Sequence, residues 1–231
     1  MVSSFSIIIP AYNEEDNISN AYKNVVKACR SVKSDYEIIL VDDGSVDKTG
    51  KIMEDLSKKD RHVKVLHNER NRGFGYAFGR GIGKARKEYI GGFPGDNDMS
   101  GESLKRLMNE AGKADIIISY MINPQARSIG RRIASKSYII LMNMLFGLNL
   151  RYYNGHFICR RKLLKNIDIQ SDGIAVLAEI KVLLLKKKAS YKEIPFEHNP
   201  RIHGVSKILT YKGITQAAGN TFSLYKRVNF S

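Results

Sequence analysis

Five short apolar runs, separated by stretches with helical periodicity, dominate the first 120 residues of the chain. Repeated strand-helix units of this length favour a mainly parallel sheet that is covered by helices on both faces. The expected fold class is therefore α/β. Strands are predicted at Phe5–Pro10, Glu37–Val41, Val63–Leu66, Tyr89–Phe93 and Asp115–Ser119, and helices from Glu15, around Ile52–Leu56, over Gly75–Lys87 and after an N-cap at Ser100.

The pattern changes after residue 120, where longer helical stretches replace the regular alternation. No internal repeat and no low-complexity linker separates the two parts. We therefore expect a single domain over residues 1–231, with an approximate division into residues 1–120 and 121–231. The second part is predicted to contain helices over Ile129–Leu148 and Ile174–Lys187, a strand near Tyr191–Phe196, and a terminal helix from about Ile208.

The positive charge of the chain is concentrated in its second half. Residues 1–120 carry 19 Lys and Arg against 18 Asp and Glu, whereas residues 121–231 carry 19 against 5, for a formal net charge of +15 in the whole chain. An asymmetry of this size favours a polyanionic partner, such as nucleic acid, an acidic lipid surface or a phosphorylated substrate. For any single lysine, a solvated basic surface remains the alternative.

Three features of the sequence bear on where in the cell the protein is expected. No basic n-region precedes a long apolar run, so no secretory signal is expected. Cys29 and Cys159 lack any CxxC or Cys/His spacing, which favours a reduced, intracellular protein. The longest apolar stretch, Tyr138–Leu148, is shorter than the ~20 residues of a membrane span. We therefore expect a cytoplasmic protein that contacts a membrane only peripherally.

Polar and acidic residues follow three of the predicted strands at the point where each strand ends. Tyr12-Asn13-Glu14 follows the first strand, Asp42-Asp43 the second, and Asp96-Asn97-Asp98 the fourth. Ligands of open parallel sheets bind beyond the carboxyl ends of the strands. The three segments are therefore expected to converge on one ligand site.

Asp96 and Asp98 are candidate metal ligands. Two hard carboxylates on a tight loop suit Mg²⁺ or Mn²⁺, which keep coordination positions for phosphate oxygens. Such an ion would neutralise a leaving diphosphate. Taken alone, the same residues could form an ordinary turn, because Asp, Asn and Gly favour loops on conformational grounds.

Three other segments have two interpretations each from the residues alone. Asp42-Asp43-Gly44-Ser45 is either a turn with a helix cap or a source of carboxylates for a nucleobase or ribose. Gly73–Gly79 is rich in glycine, but its third glycine comes one residue late for a dinucleotide-binding loop, which argues against a nicotinamide site. Arg201–Lys207 is either a solvated basic loop or a phosphate-binding segment.

Five motifs follow one another along the chain. They are Pro10-Ala11-Tyr12-Asn13-Glu14, Asp42-Asp43-Gly44-Ser45, Asn71-x-Gly73, Asp96-x-Asp98 and Arg201-x-x-Gly204-x-Ser206-Lys207. This set, in this order, resembles the family 2 inverting glycosyltransferases. The chain most resembles the dolichol-phosphate mannose synthase branch, the polyprenyl-phosphate glycosyltransferases, and the resemblance runs from about residue 5 to residue 215.

The resemblance implies a GT-A fold and assigns site residues by position. The residues implied to line the nucleotide-sugar are Pro10, Tyr12, Glu14, Val41, Asp43, Asp96, Asn97, Asp98, Arg201 and Lys207. The implied ligands of Mg²⁺ or Mn²⁺ are Asp96, Asp98 and Ser100. The implied catalytic set is Asp98, Arg131, Arg201 and Lys207, with Arg131 near the acceptor, and Glu179 matches an acidic position on a later helix.

Three positions depart from the family pattern. Ser119-Tyr120-Met121 stands where Gly-Ser/Thr-Arg is common, and Gly155-His156-Phe157-Ile158 lacks the arginine of the usual Gly-Phe-Arg. Ser100 stands where glutamine is common and is a weaker metal ligand. These departures leave the donor sugar and the acceptor open, more than they affect the class of reaction.

The implied function is inverting transfer of a hexose from GDP-mannose or a UDP-sugar to a polyprenyl or dolichyl phosphate. Because a phosphate nucleophile is largely ionised near neutral pH, no strong base is needed, and His156 and His203 are expected to be loop or acceptor-side residues. Arg127, Arg131, Arg132 and Lys136, with the apolar stretch after them, would rest on the cytoplasmic face of a membrane, alone or through a membrane-protein partner. In the alternative, Ile139, Leu141, Met144 and Leu145 are core residues.

Two other functions remain open at this stage. A family 2 enzyme with a soluble or polysaccharide acceptor would share every motif. A nucleic-acid-binding protein would account for the basic composition, but the chain shows no stacking-aromatic or helix-turn-helix pattern, and its acidic loops would repel phosphate. Nucleic acid is therefore the less expected partner.

Overall fold

In the part of the chain that the structure describes, seven strands form one mixed sheet. The computed structural model describes residues 3–126, 128–197 and 211–230, with the backbone alone at 126 and 211–217. The strand order is β3-β2-β1-β4-β6-β5-β7, and β6 alone among these runs antiparallel to its neighbours. The predicted α/β class and mainly parallel sheet are confirmed. The strands are β1 Ser4–Ala11, β2 Asp35–Asp42, β3 Val63–His67, β4 Tyr89–Gly92, β5 Ile116–Met121, β6 Phe157–Arg160 and β7 Tyr191–Phe196.

β6 is the strand that the sequence pattern did not reveal. It has four residues and pairs with β4 on one side and β5 on the other, for example Ile90 with Cys159 and Ile117 with Ile158. A Cβ added at Gly91 of β4 would lie 2.9 Å from the Ile158 side chain, so the two strands pack closely. A short antiparallel insertion of this kind does not follow the strand-helix rhythm and leaves no periodic signal.

Eight α-helices surround the described sheet, and most begin and end within a few residues of the predicted positions. The Gly75–Lys87 prediction extended too far, because Ala85 already has extended backbone that leads into β4. Ser100 is confirmed as an N-cap, since its Oγ accepts a hydrogen bond from Ser103 N at 3.1 Å. The helices are α1 Ile18–Ser31, α2 Thr49–Lys59, α3 Phe74–Lys84, α4 Gly101–Asn109, α5 Ile129–Phe146, α6 Arg161–Leu164, α7 Val176–Lys186 and α8 Tyr211–Asn229.

The helices divide between the two faces of the sheet. Alternate strand residues point to opposite faces, so Ile7 and Ile9 pack with α1, α2 and α4, whereas Ile8 packs with α3, α5, α7 and α8. Burial of both faces explains why the central strands read as continuous apolar runs. Cys29 and Cys159 are both buried and unbonded.

Helix α5 is only partly a core helix. Ile139 and Leu145 pack against the core, as the core interpretation of this stretch predicted. The same interpretation is wrong for Leu141 and Met144, which are 48% and 77% exposed. Within the part of the chain that the structure covers, no helix is long and apolar enough to cross a bilayer. Arg127 and the whole segment 201–208, which includes Arg201, His203, Gly204, Ser206 and Lys207, lie outside the described residues.

Candidate active site

The loops after β1 and β2 are bonded to each other at the carboxyl edge of the sheet. Asp43 N donates to the Ala11 carbonyl at 2.9 Å, which continues the strand pairing by one step. Asn13 N then donates to Ser45 Oγ, and Val46 N donates to Asn13 Oδ1, each at 3.0 Å. Asn13 has a φ of 55°, a left-handed conformation that asparagine tolerates better than most residues. These contacts bring Tyr12 and Asp43 to one place.

The loop after β4 packs against the same place. A Cβ added at Gly95 would lie 2.6 Å from the Pro10 carbonyl oxygen, so only glycine allows this approach. Asn97, with a φ of 57°, accepts a hydrogen bond through Oδ1 from Asn24 Nδ2 of α1 at 2.8 Å. The expected convergence of the Tyr12, Asp43 and Asp96 segments is therefore what the fold produces, and α1 fixes the orientation of the third.

Asp43 is 3% exposed, and its carboxylate holds the next loop in place. Oδ1 accepts from Asn68 Nδ2 at 2.6 Å and from Arg72 N at 3.0 Å, and Oδ2 accepts from Gly73 N at 2.7 Å. A carboxylate oxygen has about two acceptor positions, so Oδ2 can accept one more bond. Asp43 therefore organises the Asn68–Gly73 loop and can still accept one donor from a ligand.

Asp42 is held by a histidine that also bonds a second carboxylate. His67 Nδ1 lies 2.9 Å from Asp42 Oδ2, and His67 Nε2 lies 2.8 Å from Glu54 Oε1 of α2. Asp42 Oδ1 accepts from Ser45 N at 2.9 Å. The hydrogen bond to Glu54, followed by the bond and charge of Asp42, raises the pKa of His67 above its ordinary value.

The raised pKa of His67 predicts a pH-dependent stability. The folded protein binds this proton more tightly than the unfolded chain, so the contribution is fully present below the ordinary pKa of about 6.5 and is lost as pH rises through the folded value. We expect the wild type to exceed His67→Gln in thermal midpoint by more at about pH 5.5 than at about pH 8.5. Lys51→Gln, an exposed change on α2, should show a difference that does not vary with pH; a constant His67 difference would contradict the assignment.

Asp96 and Asp98 form a two-carboxylate set on a short loop. Both are half-buried, and Asp98 N lies 3.3 Å from Asp96 Oδ1. No cluster of three or more His, Cys, Asp or Glu side chains with metal-binding geometry occurs among the described residues. Two carboxylates fit Mg²⁺ or Mn²⁺ when substrate oxygens and water complete the octahedron. The Ser100 hydroxyl is engaged in capping α4, so its role as a third ligand stays a prediction.

The turn before β6 is held by Ser119, which is one of the departures from the family pattern, and by Lys181, which the sequence analysis did not single out. Ser119 Oγ donates to the His156 carbonyl at 2.8 Å. Lys181 is fully buried on α7, and its Nζ donates to the carbonyls of Tyr153 and Gly155, each at 2.5 Å. Burial lowers the pKa of Lys181 to about 7. The family departures at 119 and 155–158 are thus parts of one hydrogen-bonded unit.

His156 lies in this unit beside the end of β4. A Cβ added at Gly92 would lie 3.2 Å from His156 Nδ1, and the imidazole is 7% exposed. Burial lowers the pKa of His156 to about 3. So weak a base is poorly suited to accept a proton near neutral pH, and the assignment of His156 as a loop or acceptor-side residue stays a prediction.

The remaining predicted site residues lie on the same edge or in adjoining elements. Pro10 and Val41 are buried and paired with each other, each in the next-to-last position of its strand. Tyr12 and Glu14 are half-buried in the loop after β1. Arg131 is in the first turn of α5, the helix that follows β5. No ligand contact tests these assignments, which stay predictions.

The segment 171–173 packs against the loop after β3 and the start of α3. In the sequence, the glycine run Gly73–Gly79 was the only sign of this contact. A Cβ added at Gly73 would lie 2.6 Å from the Asp172 carbonyl oxygen, and one at Gly75 would lie 2.0 Å from the Ser171 carbonyl oxygen. Glycine here permits the close approach of another chain segment. The run that resembled a nucleotide-binding loop is therefore a packing contact.

The family model described as glycosyl transferase family 2 matches residues 6–168, which include every one of these strand-end loops. The chain belongs to glycosyltransferase family 2. The resemblance that the motifs indicated is confirmed at the level of the family.

Curated relatives cover much of this chain. The chain is 30% identical over 211 residues to an undecaprenyl-phosphate 4-deoxy-4-formamido-L-arabinose transferase of Edwardsiella ictaluri, a match that covers 87% of this chain and 62% of the relative. It is 40% identical over 111 residues to the uncharacterized glycosyltransferase EpsJ of Bacillus subtilis, covering 48% of this chain and 31% of the relative. The matches thus extend over roughly a third to two thirds of the curated relatives' length.

Solved structures support the fold. A glucosyl-3-phosphoglycerate synthase from Mycobacterium tuberculosis, crystallised with Mn²⁺, UDP-glucose and phosphoglyceric acid, aligns with a TM-score of 0.75 at 17% identity, over 96% of this chain and 80% of the other. The same enzyme has been crystallised with Mg²⁺ and UDP, with a TM-score of 0.73 at 15% identity, over 96% of this chain and 79% of the other. At this identity the likeness shows the fold, which is the GT-A fold that the motifs implied.

Proposed function

We propose that this family 2 glycosyltransferase moves a hexose from a nucleotide-sugar to a polyprenyl phosphate, with inversion at the anomeric carbon. The observation that carries the proposal is the meeting of three loops, those of Tyr12, Asp43 and Asp96–Asp98, at the carboxyl edge of the sheet. Curated relatives named as undecaprenyl-phosphate transferases support the acceptor class.

The chemistry requires positioning and charge stabilisation more than proton transfer. An ionised phosphate oxygen of the acceptor attacks the anomeric carbon, the bond from that carbon to the diphosphate oxygen breaks, and the nucleoside diphosphate leaves with the electron pair. No proton moves in this step, so no general base is needed. The weak basicity of His156 fits such a reaction.

The chain's own groups divide the work between the two substrates. The second acceptor position on Asp43 Oδ2, to which no described residue donates, would take a donor group of the base or ribose. Asp96 and Asp98 would hold Mg²⁺ or Mn²⁺, which when bound supplies positive charge to the leaving diphosphate. Arg201 and Lys207 are proposed as phosphate-binding side chains by their motif position. Asn97, fixed by Asn24, would keep both carboxylates in place.

A single stripe on α5 suits contact with the membrane that carries the acceptor. Ile129, Ile133, Ile140 and Met144 recur at helical spacing and are 71%, 62%, 51% and 77% exposed. Exposed Lys136 lies on the same stripe. Apolar side chains flanked by basic ones bind the headgroup region of anionic bilayers, at about 1 kcal/mol for each Lys or Arg. We propose that this stripe rests on the membrane, on its cytoplasmic face.

The α5 stripe makes a prediction for vesicle binding. Ile133→Glu with Met144→Glu should weaken binding to vesicles that contain anionic lipid by at least about tenfold, because two apolar contacts are lost and two negative charges are added. Co-sedimentation at low salt measures this. Val46→Glu is the matched control, since Val46 is 86% exposed in the loop after β2. Equal binding by all three proteins would refute the proposed surface.

The donor can be identified by thermal shift. GDP-, UDP- and CMP-sugars are tested with and without Mn²⁺, and we expect one class alone to raise the midpoint, and to do so only with the metal. The response should be lost in Asp98→Ala. If no nucleotide-sugar changes the thermal midpoint at concentrations up to the millimolar range, the result would argue against the donor site.

A further inference from the structure

Glu179 of α7 is 1% exposed, and its carboxylate accepts three hydrogen bonds from other parts of the protein. Oε1 accepts from Gln170 N at 3.0 Å and from Arg227 Nη1 at 2.7 Å, and Oε2 accepts from Ser171 N at 2.8 Å. A buried carboxylate held by two backbone N–H groups and a guanidinium fixes the backbone that bears those groups. Glu179 therefore holds the backbone of the segment 168–173 in place.

Arg227 connects the same segment to the last helix of the chain. It lies in the last turn of α8, with 22% of its side chain exposed. Besides its bond to Glu179, its Nη2 donates to the Asp168 carbonyl at 2.5 Å. One guanidinium thus contacts the start of the 168–173 segment directly and its middle through Glu179.

The other side of the 168–173 segment contacts the donor half of the site. The Asp172 carbonyl accepts from Gly75 N at 2.6 Å and from Tyr76 N at 3.4 Å. Gly75 and Tyr76 lie in the first turn of α3. The helix begins directly after Gly73, whose N–H donates to Asp43. The segment therefore supports the first turn of α3 and the end of the loop that Asp43 organises.

We propose that Glu179 and Arg227 are positioning residues for the nucleotide. They fix the 168–173 segment, which fixes the first turn of α3 and the loop bonded to Asp43, so that α8 contributes to donor binding without touching the donor. This inference rests on the proposed function, in which Asp43 faces the nucleotide.

Substitutions of Arg227 and Glu179 remove different hydrogen bonds. Arg227→Gln removes the contacts with the Asp168 carbonyl and with Glu179 Oε1, but leaves Glu179 bonded to the backbone of Gln170 and Ser171. Glu179→Gln places an amide nitrogen against backbone donors, so one buried N–H loses its acceptor. The second variant should therefore have the larger effect, and the double variant should resemble it, because both act on one segment.

The test is calorimetric titration of GDP, UDP and CDP with Mn²⁺ into the full chain. For the nucleotide that the wild type binds, the dissociation constant should rise about tenfold in Arg227→Gln and further in Glu179→Gln, with the double variant non-additive. Arg227→Lys should recover part of the affinity. The matched control is Lys226→Gln, the neighbouring residue, whose Nζ lies over the Phe222 ring at 4.6 Å; it should bind like the wild type.

Two further readouts separate positioning from a general loss of stability. In steady state the KM for the donor should rise, while kcat and the KM for the acceptor change by less than about twofold. Amide hydrogen exchange at Gly75 and Tyr76 should accelerate in Arg227→Gln, whereas amides in α4 should not change. Wild-type nucleotide affinity in a folded Arg227→Gln would overturn the inference. If the wild type itself binds no nucleotide, the proposed function fails, and unchanged exchange at Gly75 would separately refute the structural connection.

Discussion

Asp98→Asn should lower sugar transfer by about a thousandfold while the protein stays folded. The substitution keeps the size of the side chain but removes one of the two carboxylates that are proposed to hold the metal, so much of the affinity for the metal should be lost. Asp98 is half-buried on a loop, so its side chain adds little to the core. Initial rates with saturating nucleotide-sugar and Mn²⁺ measure the effect.

The matched control for Asp98 is Glu102→Gln. Glu102 is an exposed acidic residue four positions away, in the first turn of α4, and it pairs with Lys105 at 3.4 Å. Exposed pairs of this kind contribute little to stability, so this variant should keep wild-type activity. Retention of more than about a tenth of the rate by Asp98→Asn would contradict the metal assignment.

Gly75→Ala should destabilise the protein strongly, whereas Gly79→Ala, one turn later in the same helix, should stabilise it. A Cβ at Gly75 would lie 2.0 Å from the Ser171 carbonyl oxygen and 2.8 Å from the Gly173 carbonyl oxygen, which are backbone atoms that cannot move alone. The cost is expected to be about 3 kcal/mol, or roughly 10 °C in the thermal midpoint.

At Gly79 the added methyl group meets no atom within 4 Å. Alanine is favoured over glycine inside a helix by about 1 kcal/mol, so the midpoint should rise by about 2–3 °C. Thermal unfolding of both variants in one buffer makes the comparison. If the two substitutions shift the midpoint in the same direction, the close packing of the 168–173 segment on α3 is wrong.

Most of the fold could be predicted because its signals are local. Strands buried on both faces appear as short apolar runs, and six of the seven described strands were located within about two residues at each end. β6 could not be found in this way, since its four residues are defined by pairing with β4 and β5, which come from distant parts of the chain.

The candidate site was predictable at the level of strand ends, because parallel strands bring their carboxyl ends together whatever the details of packing. The contacts that orient the site were not. Asn24 and Asn97 are 73 positions apart, and Glu179 and Arg227 are 48 apart, so no local spacing joins them. The glycine run illustrates the same limit, since the segment that requires Gly75 comes almost a hundred residues later.

The central claim is that this glycosyltransferase uses a metal-bound nucleotide-sugar and a polyprenyl phosphate. The most direct measurement incubates the protein with a radiolabelled nucleotide-sugar, undecaprenyl phosphate and Mn²⁺, and then extracts the mixture with an organic solvent. We predict that label enters the organic phase, and that EDTA or Asp98→Asn abolishes the transfer. Label that enters only a water-soluble product, or that reaches the lipid equally well with EDTA, would contradict the proposal.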